Sequence, residues 1–369
     1  MNAVVIAGAG QAGFQTAWTL RSRGFGGSIT IIGDEPHLPY QRPPLSKEFL
    51  LGKMPVEKAD LRPRAFYDQH RIDLKLGERV VAIDRANQKV KLGSGASIPY
   101  SKLVLATGAR VRTIPLKGAL YLRGRDDAER LKHALQQAKT VAIVGGGFIG
   151  LEVAATARTL GKTVTVCELQ PRLLARAVGS EIASFLQQTH ERNAVRIIFG
   201  ESSPPAAEVT VVGIGVVPND ELARDAGLAV NNGIVADSRL RTSDENIYAV
   251  GDCANHEGRR LESVQNAADQ GTVAAMNILD ANTPYTTVPW FWTDQFDIKL
   301  QMAGLSDAAD QAVMHGDPAT RKFSVFYFRE GRMIAADSVN RPRDHINVRK
   351  LLASTTPVTP GELDALFPL

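Results

Sequence analysis

Two hexapeptides carry the spacing Gly-x-Gly-x-x-Gly: Gly8-Ala9-Gly10-Gln11-Ala12-Gly13 and Gly145-Gly146-Gly147-Phe148-Ile149-Gly150. Each follows a short apolar run, Val4 to Ala7 and Val141 to Val144, and each opens an apolar-periodic stretch, Phe14 to Leu20 and Leu151 to Leu160. Between strand and helix, the first glycine permits a tight turn, the second lets backbone approach a pyrophosphate, and the third lets helix and strand pack closely. The helix N-terminus adds partial positive charge. An acid after the next strand completes the pattern by accepting hydrogen bonds from ribose hydroxyls. Ser28 to Ile32 leads into Asp34, the first choice, and Glu35, while Thr163 to Cys167 leads into Glu168. A carboxylate at Glu168 favours a free 2′-hydroxyl over a 2′-phosphate, hence NADH over NADPH, although Arg172 and Arg176 just downstream leave that preference open.

Two dinucleotides in one chain call for electron transfer between them, and flavin with nicotinamide is the pairing that makes chemical sense. The elements that must position them follow the same grammar. Between the two copies, Arg79 to Tyr100 alternates apolar and polar positions around Asn87 and Gly93-Ser94-Gly95, which predicts a small antiparallel meander before a strand at Leu103 to Ala106. Thr210 to Val212 mirrors that strand after the second copy. Asn246 to Asp252 reads as a strand ending in Gly251-Asp252, an acid well placed for a buried hydroxyl, and a helix from about Ser263 to Leu279 returns the chain to the first domain. From Trp290 onward the texture changes. Phe323 to Phe328 and Met333 to Val339 read as strands paired about Glu330-Gly331, with His345 to Leu352 helical.

At 369 residues, with 44% hydrophobic and 22% charged residues, the chain has the balance of a soluble protein of two or three domains. No run approaches the roughly 20 apolar residues of a membrane span, and no signal peptide is evident, so the cytoplasm is the expected location. Cys167 and Cys253 fall in no Cys-x-x-Cys or metal-ligand spacing, which argues against a disulfide framework, a metal site or a redox disulfide. A net charge of +4 suits an acidic partner and is too weak to indicate nucleic acid.

Several phrases, in this order, carry a family resemblance: Pro39-Tyr40-Gln41-Arg42-Pro43-Pro44-Leu45-Ser46-Lys47, Ala106-Thr107-Gly108, Phe148-Ile149-Gly150-Leu151-Glu152, Val212-Gly213-Ile214-Gly215, Val250-Gly251-Asp252-Cys253 and Pro289-Trp290-Phe291-Trp292. The chain resembles, nearly end to end, the NADH-dependent ferredoxin reductases that serve bacterial oxygenases, FAD flavoproteins related to putidaredoxin reductase. The resemblance implies an α/β fold with two Rossmann-like dinucleotide-binding domains, in a glutathione reductase-like architecture, plus a small α+β C-terminal domain. The FAD domain is expected over 1–108 and again over 236–285, the NADH domain over 109–235 and the C-terminal interface domain over 286–369.

The resemblance further implies that Gly8, Gly10, Ala12, Gly13 and Asp34 hold the adenosine and pyrophosphate of FAD, with Val80 and Arg123 by the adenine, Asp252 on ribitol or phosphate and Val264 at the flavin edge. Gly145, Gly147, Ile149, Gly150, Glu168 and Gly215 fall to NADH. Lys47 and Glu152 would span the flavin face as the catalytic pair, and Trp292 would cover the ring edge or face the partner. Read alone, Lys47 is a helix-end lysine, Arg123 a surface guanidinium, Glu152 an acid favoured by a helix dipole and the two tryptophans core aromatics. Arg62 matches a position that relatives turn toward an acidic ferredoxin. The implied reaction moves hydride from NADH to FAD and single electrons to a 2Fe-2S ferredoxin, in a monomer or weak dimer. Two alternatives stay open: reduction of a small acceptor such as oxygen, a quinone or a radical, and a slow-turnover redox-sensing protein. Relative to the family the chain is trimmed between Arg112 and Leu120, Gly200 and Val209, and Asn255 and Leu261; Ser202-Ser203-Pro204-Pro205 is a poor replacement for strands.

Overall fold

The computed structural model describes residues 2–354 and 356–368. Their contacts divide into two compact units, Met1–Gln41, Glu57–Arg110 and Val216–Thr287 in the first, Arg42–Val56, Val111–Gly215 and Val288–Leu369 in the second.

The first unit is built on a parallel sheet in the order Ile247–Ala249, Lys102–Leu105, Ala3–Ala7, Ser28–Gly33, Ile72–Leu76. Side chains alternate across a strand. Val4 and Ile6 therefore face one core with Phe14, Ala17 and Leu20 of the helix Gln11–Ser22. Val5 and Ala7 face the other, with Val80, Val90 and Leu92 of the meander. The predicted meander is present as Val80–Asp84, Lys89–Leu92 and Ser97–Pro99. The helix Val264–Ile278 crosses Gln11–Ser22 so closely that a side chain at Gly271 would press on the Ala12 carbonyl oxygen, at 2.7 Å. The chain re-enters this unit at Val216, and Ala223, Leu228 and Ile234 are buried in the core shared with the meander.

The second unit repeats the parallel grammar with four strands, in the order Val195–Phe199, Thr163–Glu168, Thr140–Val144, Val209–Val212. No strand lies between Phe199 and Val209, as the Ser-Pro-rich composition there predicts. An antiparallel sheet follows, ordered Trp290–Gln295, Ile298–Gly304, Arg332–Val339, Lys322–Arg329, Gln311–Asp317. One of its faces packs Phe323, Val325 and Tyr327 onto Ile182, Phe185 and Leu186 of the helix Ser180–Arg192. The other face packs Phe326 and Phe328 under Val348 of the helix Pro342–Ala353. Residues 42–56 belong to this second unit: the Thr156 hydroxyl of helix Phe148–Thr159 donates to the Ser46 carbonyl at 2.8 Å.

Candidate functional site

Both glycine turns have the same construction. In the first unit Gly8 has φ +127°, and a side chain there would overlap the Ala106 carbonyl; one at Gly13 would overlap the Gly8 carbonyl. At Gly10 a Cβ meets nothing within 4 Å. In the second unit Gly145, at φ +106°, abuts the Gly213 carbonyl and Gly150 abuts that of Gly145, while a Cβ at Gly147 meets only the Gly213 oxygen, at 3.7 Å. The outer glycines are thus demanded by backbone packing, and the middle one opens to free space. The helices Gln11–Ser22 and Phe148–Thr159 start on Gly10 and Gly147 with no side-chain cap and no acid in the first turn. Their N–H groups and dipoles are left for an anion, so the residues present fit two pyrophosphates. Ala12 and Ile149 hold equivalent places in the two first turns; Ala12 is buried and Ile149 is 42% exposed.

Around the first turn, Gly33 closes on Ala9 and delivers an exposed Asp34 at the strand end. The neighbouring Glu35 accepts a hydrogen bond from the Tyr40 hydroxyl at 2.5 Å. Gly251, at φ +78°, donates its N–H to Gln270 Oε1 at 2.7 Å and lies against Ala12, which brings the half-buried Asp252 beside the start of the first helix. Val264 opens the helix that packs on this segment, behind a Ser263 cap that accepts from the Asn266 N–H at 3.0 Å. Val80 is separate, buried in the core on the meander side.

Around the second turn, Glu168 is tied down at both oxygens: Oε2 accepts from the Gly146 N–H at 2.6 Å and Oε1 from the Gln170 N–H at 2.7 Å. Arg172 donates to the carbonyls of Val178 and Ala175, each at 2.8 Å, and so is turned into its own loop. Gly215, at φ +94°, accepts from the Arg112 N–H at 2.9 Å. Arg123 is half-buried, its carbonyl taking Arg42 Nη1 at 2.6 Å.

Lys47 and Glu152 meet. The Lys47 Nζ lies 2.7 Å from Glu152 Oε2, at 11% and 3% side-chain exposure. Glu152 stands in the second turn of its helix, and ion pairing plus hydrogen bonding, not the helix dipole, holds it there. Ser46 Oγ donates to the same oxygen at 2.5 Å and Thr293 Oγ1 to the other at 2.7 Å. Three donors thus converge on one carboxyl group, and a carboxylate can only accept. Trp292 sits one residue before Thr293, half-buried, its ring 5.5 Å from that of Trp290; Trp290 in turn carries the Arg349 guanidinium 4.5 Å over its face. Ser46, Thr293 and Gln295 were not singled out from the sequence. The signal for the last two was the period of the strand, since Thr293 and Gln295 share a face. Close by, burial raises the Asp294 carboxyl against the opposing pull of Lys299 and Lys47. Among the described residues no cluster of His, Cys, Asp and Glu could hold a metal ion, and no helix is long and apolar enough to cross a membrane.

The fold and its duplicated cradle define a two-dinucleotide oxidoreductase. The family model for pyridine nucleotide-disulphide oxidoreductases matches residues 2–207 and 200–271, and the reductase C-terminal model matches 290–367. The chain is 46% identical to rhodocoxin reductase of Rhodococcus erythropolis, covering 97% of this chain and 91% of that protein. It is 43% identical to the ferredoxin–NAD(+) reductase component of the anthranilate 1,2-dioxygenase system of Burkholderia cepacia, covering 97% and 96%. Among solved structures, the ferredoxin reductase for the CYP199A2 system of Rhodopseudomonas palustris superposes with a TM-score of 0.95 at 43% identity, covering 98% and 97%. The covalent putidaredoxin reductase–putidaredoxin complex gives 0.94 at 37%, covering 98% and 95%. The chain belongs to the pyridine nucleotide-disulphide oxidoreductase family, among the members that carry the C-terminal reductase domain. It is an FAD-dependent oxidoreductase that uses NAD(P)H.

Proposed function

We propose that this chain takes hydride from NADH onto FAD and passes the electrons singly to a 2Fe-2S ferredoxin that serves an oxygenase. The duplicated cradle is the observation that carries the reading, because each turn leaves its middle glycine and its helix N-terminus open to a pyrophosphate. The names of the relatives, reductases of rhodocoxin, putidaredoxin and a dioxygenase ferredoxin, supply the acceptor class. Bound FAD is the group that accepts electrons in pairs and releases them one at a time. The protein binds, orients and sets charge.

Gly8, Gly10, Ala12, Gly13, Asp34 and Asp252 would hold FAD in the first unit, with Val80, Arg123 and Val264 as further contacts. Gly145, Gly147, Ile149, Gly150 and Gly215 would hold NADH. Glu168 would favour NADH over NADPH by repelling a 2′-phosphate, with Arg172 turned toward loop carbonyls rather than toward the turn. Lys47 would favour negative charge on the reduced ring, and Glu152 would balance and aim Lys47. Trp292 would cover the flavin edge, and Arg62 would meet the ferredoxin. The reading includes a cytoplasmic enzyme that works as a monomer or weak dimer.

The test is NADH-dependent cytochrome c reduction with and without a 2Fe-2S ferredoxin. Turnover that depends on the ferredoxin supports the proposal. Equal rates without it, with oxygen or a quinone consumed instead, would make this a small-acceptor reductase.

A further inference from the structure

We propose that Thr293, Gln295 and His190 are positioning residues for Glu152, forming a buried hydrogen-bond chain that aims its carboxylate. The inference rests on the reading that Glu152 stands beside the reacting cofactors, and lies wholly within the second unit.

The chain has four members. Thr293 Oγ1 donates to Glu152 Oε1 at 2.7 Å, Gln295 Nε2 donates to Thr293 Oγ1 at 3.1 Å, and Gln295 Oε1 lies 2.8 Å from His190 Nε2. Thr293 and Gln295 are each 1% exposed and His190 is fully buried. The charge at Glu152 sets the direction of every link. A carboxylate accepts only, so the single Thr293 proton is drawn to it, and the Thr293 oxygen then needs a donor. Only the NH2 end of the Gln295 amide supplies one, which turns the carbonyl end toward His190 and requires the proton on Nε2. Nδ1 is then a bare acceptor; among the described residues it has no partner. Burial keeps the imidazole below its usual titration range, consistent with a neutral ring.

Two further features make this a clamp. Phe291, next to Trp292, packs its ring 4.7 Å from that of Phe148 at the start of the Glu152 helix, fixing strand against helix. On the opposite side Thr156, one turn beyond Glu152, holds the Ser46 carbonyl, and Ser46 holds the other carboxylate oxygen. Other charges on the elements packed here are Lys47 and Glu48, Asp294 with its cross-strand neighbour Lys299, and Arg158, which is tied to the carbonyl of Asn193 at 2.9 Å. Glu191 and Arg192, beside His190, are exposed. Of these, Lys47 alone pairs with Glu152, so the neutral chain from His190 supplies the remaining control over its second oxygen.

The test follows anaerobic reduction of the bound FAD by NADH, by stopped flow across a pH series, in the FAD-loaded parent and in Thr293→Val, Thr293→Ser, Gln295→Leu and Glu152→Gln. Thr293→Val removes the donor to Oε1, so it should displace the acid limb of the rate profile and slow reduction about tenfold. Thr293→Ser should restore the parental profile, and Gln295→Leu should fall between, since Thr293 keeps its own proton. If Glu152→Gln is slow while Thr293→Val and Gln295→Leu keep the parental limb, the chain is packing and the proposal is overturned, leaving the role of Glu152 intact. If Glu152→Gln reduces its flavin at the parental rate, the reading beneath the proposal fails and the proposal fails with it.

Discussion

Replacing Glu168 by Gln tests whether its charge favours NADH over NADPH. The carboxylate is anchored by two backbone N–H groups, and of the two arginines just downstream Arg172 is bound to its own loop while Arg176 is exposed. A 2′-phosphate placed within about 4 Å of Glu168 meets about 4 kcal/mol of repulsion per charge at an effective dielectric of about 20. Glu168 is half-exposed, and solvent screening brings this to about 2 kcal/mol, or roughly 30-fold. The amide of Gln keeps one acceptor for the Gly146 N–H while losing the charge, at a stability cost of about 1 kcal/mol for the second backbone contact. The assay is steady-state kcat/KM for NADH and for NADPH with one artificial acceptor. The ratio should fall by roughly 30-fold, mainly through a lower KM for NADPH, whereas Arg172→Ala should leave it unchanged. A folded Glu168→Gln enzyme whose ratio stays within about twofold of the parent would refute the electrostatic argument.

Gly10→Ala should leave the apoprotein folded but lower its FAD content, because a methyl there meets only the space the cofactor needs, while Gly8→Ala and Gly13→Ala should fail to fold because they strike backbone carbonyls; apoprotein melting and the flavin-to-protein absorbance ratio separate the cases. Lys47→Met leaves Glu152 buried without its cation, so melting should fall by an amount equivalent to about 3 kcal/mol or more and anaerobic flavin reduction should slow at least about tenfold. Burial raises the Asp337 carboxyl to about 7, opposed by the Tyr327 hydroxyl that donates to it at 2.8 Å. Its unfolded value is near 3.9, so the folded state holds the extra proton between these limits and stability should fall as pH rises from about 4 to about 7. Denaturant titrations should find that slope reduced in Asp337→Asn, with the variant more stable than its parent above about pH 7.

The two cradles were legible because their determinants are local: three glycines and an acid within one strand–turn–helix–strand unit. The meander and the C-terminal strand pair were legible for the same reason, through alternation and turn residues. The surroundings of Glu152 were not. Ser46 reaches it across 106 positions and Thr293 across 141, and no spacing rule links residues that meet only through tertiary packing. The same holds for residues 42–56, whose place with the second unit depends on Ser46 being held by Glu152 and Thr156. Of the adjacent acids, position after the strand made Asp34 the first choice over Glu35; that Tyr40 engages Glu35 while Asp34 stays exposed was not legible in the sequence.

If one chain brings hydride from a nicotinamide to a flavin and hands the electrons to an iron-sulfur protein, both halves are visible in an anaerobic titration of the FAD-loaded enzyme with NADH, followed by addition of oxidised 2Fe-2S ferredoxin. Bleaching should be complete at about one NADH per FAD, and the yellow colour should return as about two ferredoxins are reduced. Flavin that stays oxidised in excess NADH, or reduced flavin that ferredoxin leaves untouched, would contradict that transfer.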